Sequence, residues 1–487
     1  MGIVLNQSLK NTIITYIGFA IGGISTIFLF PSILGKTYYG LSNYILSCAN
    51  VIMPLFAIGM QNTLVKFYSQ CKTEKEQNQF LSFSVLFPLV LTIPLLLLGL
   101  FFYDEISLFV TKKNPIVKEF IYLIPFIGLC MAYFEIFYAW ARVHMHSVFG
   151  NFIKEVGLRL FSLVALVGMY LGWITAIEFI YLTAGIYFVA LLITMLYAFR
   201  VKKPEFQLSI PHNVKGILEY TFYIILSGSV ANLLLDGDKI MLNQYMDIGN
   251  IAFYSVATYI ALVISVPSRA MHQIVYPITA KLMHENKHDE LNDLYKKTSV
   301  NLQIVGGFVM LCIFVNIDQL YEMLPKDYAG GIWIVFIIGL SKYFDLILGN
   351  NNAIIFNSKY YRMVLFLGLM LVFFTIVLNM IFIPLYGITG SAIATLLSIT
   401  IYSVAKLMFV VKRMHLYPFT IQTIYSILIT AILFVLFYFW KFPFHPIIGI
   451  VLKSILVTIL YVYINYRFSI SKEINQVLHS IMKKMKF

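Results

Sequence analysis

The chain has 487 residues, of which 60% are hydrophobic and only 12% charged, with a net charge of +13. An ordinary soluble domain carries about 25% charged residues, so a chain this long has too few polar groups to cover a water-facing surface, and a soluble enzyme or a nucleic-acid-binding domain is excluded. In so apolar a chain the positive balance points to basic loops lying against anionic headgroups.

A helix needs about 20 mostly apolar residues to cross the hydrocarbon core. Runs of that length fall at 11–33, 40–63, 79–101, 117–140, 148–170, 174–198, 217–243, 249–277, 298–317, 329–351, 361–383, 388–410, 419–440 and 445–466. They predict an all-α membrane protein of fourteen transmembrane helices. The first run follows Lys10 closely, exceeds a signal-peptide core in length and lacks a small-residue cleavage site, so it reads as a retained first span. Cys48, Cys130 and Cys312 lie inside apolar runs and Cys71 in a basic loop, which gives neither a disulfide framework nor metal-ligand spacing. His144 and His146 have no third ligand nearby and read as surface residues of a loop, not as a metal site.

The cations set the orientation. With the N-terminus placed in the cytoplasm, 25 of the 35 Lys and Arg fall in inside segments, among them Lys154, Arg159 and Lys406, and 6 fall in outside segments: Lys36, Lys112, Lys113, Lys118, Lys326 and Lys441. The remaining four, Lys239, Arg269, Lys342 and Lys453, lie within spans. That asymmetry alternates loop by loop and predicts both termini inside. Trp140 is expected at an inner interface, and Trp173, Trp333 and Trp440 at outer ones.

The chain resembles itself at a shift of about 210 residues. Tyr133-Phe134-Glu135-Ile136 matches Tyr343-Phe344-Asp345-Leu346, Gly59-Met60 matches Ala270-Met271, and Ile174-Thr175 matches Ile388-Thr389. A shift of six spans preserves orientation, so two parallel six-helix bundles are expected at 1–205 and 206–415, with an added helix pair and basic tail at 416–487. Paired bundles suit a transporter whose site lies between them near mid-membrane.

Three stretches carry a family resemblance. The first is Pro31-Ser32-Ile33-Leu34-Gly35 with Tyr39-Gly40. The second is Asp238-Lys239-Ile240-Met241-Leu242 followed by Phe253-Tyr254-Ser255-Val256-Ala257. The third is Pro384-Leu385-Tyr386-Gly387-Ile388-Thr389-Gly390-Ser391-Ala392-Ile393-Ala394-Thr395. Over residues 5–415 the chain resembles the bacterial polysaccharide transporters, the O-antigen (Wzx-type) flippases of the multidrug/oligosaccharidyl-lipid/polysaccharide superfamily. The resemblance implies an inner-membrane protein that moves a polyprenyl-diphosphate-linked oligosaccharide to the outer leaflet, in company with a glycan polymerase and a chain-length regulator. It implies no cofactor.

Such a cargo brings a diphosphate and many hydroxyls through hydrocarbon, and the protein must replace their hydration. A charge inside a span costs about 3 kcal/mol on insertion scales, so in-span cations are expected on a cavity or a partner. The candidates are Arg269, Lys342 and Lys239, with Asp345 and Glu135 among the acidic neighbours Asp236, Asp238 and Glu178; Lys453 is a weaker one. Lys342 and Asp345 share a helix face at i,i+3 and form either a structural ion pair or part of the site. Gln61, Asn62 and Asn351, the last in the run 350–352, are expected on sugar hydroxyls or in bonds between helices.

The rivals are a cation-coupled drug exporter, a lipid II flippase and an intramembrane glycan polymerase or ligase. The exporter commonly keeps an acidic cation site in span 1, and 11–33 has no acidic residue. The lipid II flippase shares the diphosphate and is poorly separated from the O-antigen type by sequence. The enzyme would need a large outer loop, and the longest outside segments are about 102–116 and 318–328. No nucleotide-binding loop or nucleophile elbow is present, so no catalytic residues are expected. Reporter fusions at Lys75 and Lys202 should read cytoplasmic and one at Lys113 external; the reverse pattern would overturn the orientation.

Overall fold

The computed structural model describes residues 2–205, 207, 211, 214–360, 362–440 and 442–484. Lys441, counted above among the outer cations, and residues 485–487 of the basic tail lie outside them. Every regular element among the described residues is helical. Lipid offers the backbone no hydrogen-bond partner, so each N–H and C=O has to be satisfied within its own helix. Among the described residues, twelve helices are long and apolar enough to cross a membrane.

Four of the expected spans are built differently from a plain helix. The helix Arg362–Met414 runs 53 residues but breaks at Gly387, whose φ of 59° and ψ of −135° lie outside helical geometry. It is therefore two helices, divided where the runs 361–383 and 388–410 meet. The run 148–170 is continuous helix in three pieces: Ser147–Phe152, a π-helical turn Ile153–Gly157, and Leu158–Tyr170. It carries Lys154, Glu155 and Arg159 within six residues. The run 40–63 is cut after Gly35–Ala57 by Ile58 and Gly59, both left-handed at φ 47° and 62°, and restarts as the short helix Met60–Phe67.

Local sequence explains where two spans begin. Thr73 caps Glu74–Phe101 and Thr175 caps Ala176–Val201, and in each a glutamate three residues on, Glu76 or Glu178, reaches back to the cap backbone. Each reciprocal pair satisfies two otherwise orphaned helix-end donors. Glu178 is thus placed in a cap and not beside a buried cation.

By its contacts the chain divides into two compact units, 1–255 and 256–487. This division by contact falls fifty residues after the boundary expected at 205, because the helix Val214–Tyr245 packs on Gly35–Ala57. In the first unit, Leu123–Val143 lies against Gly35–Ala57, Met60–Phe67 and Ala176–Val201. The buried cluster there includes Met60, Leu64, Phe80, Ile136 and Trp140. Trp140 is 1% exposed, so it is a core residue, and the interfacial role expected of it is corrected; Trp173, Trp333 and Trp440 are exposed.

In the second unit, the helices Ile421–Tyr438 and Pro446–Arg467 pack on His288–Val315 through Leu311, Leu433, Phe437, Val457 and Tyr461. Polar bonds fasten them: Gln303 Nε2 donates to the Thr423 carbonyl at 2.9 Å, the Tyr461 hydroxyl to the Ile304 carbonyl at 2.9 Å, and Lys453 Nζ to the Val315 carbonyl at 2.8 Å. Lys453 is 2% exposed and sits on the C-terminal carbonyls of a helix, where the dipole favours a cation.

Helices in lipid hold together by close packing, which small residues permit. Gly40 is such a position: a Cβ there would lie 2.0 Å from the Ile248 carbonyl oxygen. Gly99 faces open space. Gly40→Ala should lose about 1–3 kcal/mol of stability as overpacking, while Gly99→Ala should lose none; thermal unfolding of the purified protein in detergent compares the two.

Candidate functional site

Two helix faces in the first unit carry polar residues at helical spacing. Gly35–Ala57 presents Asn43, Ser47 and Asn50, and Val214–Tyr245 presents Asn232, Asp236 and Lys239. Each triplet runs i, i+4, i+7, which places its members on one side of the helix. The two faces meet. Asp236 accepts from the Ser47 hydroxyl at 2.9 Å and from the Asn50 amide at 2.6 Å, and Lys239 Nζ lies 2.8 Å from it. Asn232 donates to the Asn50 carbonyl at 2.6 Å. A carboxylate at this depth would be costly alone; two neutral donors and an adjacent cation replace the water it has lost.

The opposite wall comes from Leu123–Val143 and the π-helical turn. Glu135 meets Lys154 at 2.5 Å, and Glu155 meets Arg159 at 3.3 Å. A π turn inserts one residue and re-aims the side chains around it; here it carries Lys154 and Glu155 toward the cavity. The first helix closes on this turn at Gly18, where a Cβ would lie 2.4 Å from the Glu155 carbonyl oxygen and 2.6 Å from an Arg159 guanidinium nitrogen.

The two walls enclose a cavity of about 540 Å³. Its lining includes three cations, Lys154, Arg159 and Lys239, and three carboxylates, Glu135, Glu155 and Asp236. The formal charges cancel, so the cavity is lined with ion pairs. Such pairs can open toward an incoming anion, and the asparagine amides beside them suit hydroxyls.

The second unit places the other sequence candidates. Asp345 is bound at 3.2 Å by Lys406, which is 2% exposed, also bonds Asn352 at 3.2 Å and lies over the Tyr402 ring. Lys342, one turn before Asp345, is half-buried. Asn351 is buried and donates to the Tyr295 hydroxyl at 2.7 Å, while its neighbour Asn350 bonds Thr279 and Thr298. The asparagine run therefore ties helices together, the commoner use of such groups in membranes. Arg269 is exposed near the start of Val266–His284. Gln61 and Asn62 stand on the short helix Met60–Phe67, where Asn62 is exposed and the Gln61 carbonyl accepts from Arg142 at 3.4 Å.

Of the sequence candidates, Lys239, Asp236 and Glu135 all line the first-unit cavity. Asp238 lies outside it, accepting from the Tyr254 hydroxyl at 2.6 Å. Lys154, Arg159 and Lys406 were missed, because they were counted with the inside-facing cations although the runs 148–170 and 388–410 contain them. The available signal was the clustering of three charges inside the run 148–170. His144 is held between the Tyr68 hydroxyl at 2.9 Å and the Trp140 carbonyl at 2.8 Å.

Long apolar helices carrying a charge-lined cavity define a multi-pass membrane protein. The solved structures agree on the fold. The chain is similar over 95% of its length to a structure described as "Lipid II flippase MurJ, inward closed conformation", at a TM-score of 0.74 and 19% identity, covering 99% of that chain. It is similar over 85% of its length to an inward-facing multidrug resistance MATE family transporter of the MOP superfamily, at a TM-score of 0.56 and 12% identity, covering 94% of that chain. The chain belongs to the polysaccharide biosynthesis protein family, whose model matches residues 8–283. A curated relative from Haloferax volcanii, named "Probable flippase AglR", is 24% identical over 191 residues, which is 37% of this chain and 39% of the relative.

Asp236→Ala should cost about 3–5 kcal/mol, the price of leaving Lys239 buried beside unpaired donors. Asp236→Asn, which keeps the shape and one acceptor, should cost less; thermal unfolding in detergent ranks them.

Proposed function

We propose that this protein is a flippase that carries a polyprenyl-diphosphate-linked oligosaccharide, an O-antigen or capsule repeat unit, from the cytoplasmic to the outer leaflet of a bacterial inner membrane by alternating access. The observation that carries the reading is the cavity in which Lys154 and Arg159 stand opposite Asn43, Asn50, Asn232 and Lys239. Cations beside carboxylates fit a diphosphate that enters, borrows them from Glu135, Glu155 and Asp236, and returns them on leaving. Arg offers a bidentate fork and Lys a movable point charge for phosphate oxygens. The amides suit sugar hydroxyls, and the lipid tail stays in the bilayer. Membership of the polysaccharide biosynthesis family supports the class of cargo.

In this reading the chain crosses fourteen times with both termini inside. The broken helix Arg362–Met414 then counts as two spans and 147–170 as one. The six-helix repeats at 1–205 and 206–415 supply the two states. Arg269 and Lys342 remain proposed contacts for the cargo, and a glycan polymerase and chain-length regulator its downstream partners.

The similarity of fold to the lipid II flippase favours a second reading, with lipid II as cargo. One experiment separates the two: each lipid is loaded into proteoliposomes and its appearance on the far leaflet is measured. The oligosaccharide lipid should flip and lipid II should not. In cells, Lys154→Gln/Arg159→Gln should lower surface glycan at least about tenfold, the worth of one charge-assisted contact, with the protein still inserted. Arg269→Ala should impair export likewise. Normal surface glycan in the double variant would remove the cavity from the mechanism.

A further inference from the structure

The second unit holds another cavity, at the end of its helix bundle where three chain connections converge. It encloses about 480 Å³. His284 ends one helix and His288 begins the next, with Lys287 between them. Lys359 follows the helix Asn351–Asn357, and Arg413 and His415 come from the end of the broken helix Arg362–Met414. Left-handed residues at Asn286, φ 56°, and His415, φ 55°, turn two of these connections.

No lining residue of this cavity is Asp or Glu. Among the described residues, the carboxylates paired with a lining cation are Glu285 and Glu290, both on Lys287, at 3.2 and 3.3 Å. Their hydrogen bonds raise the Lys287 pKa and hold it charged. Lys359 and Arg413 have no such compensation, and three imidazoles beside them offer N–H donors. Cations scattered over cytoplasmic loops need no explanation beyond orientation. Here, however, three connections far apart in sequence bring theirs to one concavity with the volume of a small-molecule site.

We propose that this cavity binds a phosphate-bearing anion, with Arg413 and Lys359 as its charge partners and His284, His288 and His415 as hydrogen-bond donors. It is distinct from the first-unit cavity and does not require the flippase reading; that reading supplies only its side, the cytoplasmic one. The anion is either the headgroup of an anionic lipid or a soluble phosphate compound, since both present the same oxygens.

Sodium pyrophosphate titrated calorimetrically into the full chain in phosphatidylcholine nanodiscs at low salt should bind saturably. Lys359→Gln/Arg413→Gln should weaken it about tenfold or more. Lys112→Gln/Lys113→Gln, which removes the same charge from exposed positions outside both cavities, should leave it unchanged. Lys154→Gln/Arg159→Gln should retain the binding, so this site and the transport reading fail separately. With phosphatidylglycerol in the disc, loss of pyrophosphate affinity assigns the site to a lipid headgroup, and undiminished affinity assigns it to a soluble phosphate. Absence of saturable binding in the unmodified chain, or equal affinity in the Lys359→Gln/Arg413→Gln variant, would overturn the proposal.

Discussion

A carboxylate inside the bilayer has lost its water, and the first unit is arranged around the replacement. Asp236 takes two hydrogen bonds from Ser47 and Asn50 and an ion pair from Lys239. Those contacts join Val214–Tyr245 to Gly35–Ala57 across 189 residues of chain. In lipid, apolar packing gains no hydrophobic advantage over acyl chains, so polar bonds and close contact hold helices in register. The network therefore does two tasks: it neutralises a charge that could not stand alone, and it fixes the rotation that turns Asn43, Asn50 and Asn232 toward the cavity.

The same constraint shapes the opposite wall. Glu135, Lys154, Glu155 and Arg159 occur as two close pairs, and a buried ion pair at best roughly offsets its own desolvation. In the proposed transport a pair at such a balance is readily exchanged: a cargo phosphate would replace a carboxylate at little net cost. A cavity of unpaired cations would bind a diphosphate tightly and release it slowly. Balanced charge suits transport, which requires both capture and release.

The second unit shows a different use of polar groups. Lys406 is nearly inaccessible and bridges Asp345 and Asn352, while Asn350 and Asn351 bond neighbouring helices. The C-terminal helix pair is fixed by Tyr461 and Lys453 to backbone carbonyls of His288–Val315. These residues look alike in sequence to those of the first-unit cavity. What distinguishes them is whether the partner is a helix or an open space.

The sequence by itself determined the class: 60% apolar residues in helix-length runs leave a multi-pass helical membrane protein as the solution, because length and hydropathy along the chain fix what can cross lipid. It also placed Lys239 and Glu135 among the in-span charges that a cavity would use, and the resemblance pointed to the family the chain belongs to. Tertiary structure decided the pairings. Lys154 and Arg159 were counted with the inside-facing cations although the run 148–170 contains them, and a single π turn aims the first at Glu135 on another helix. Lys406 was counted there too, yet it is buried against Asp345, 61 residues away. Trp140 had the position of an interfacial ring and is core. Each miss has one cause: helix rotation advances about 100° per residue, so hydropathy tells that a residue lies in a span, and only packing tells which way it faces and what meets it there.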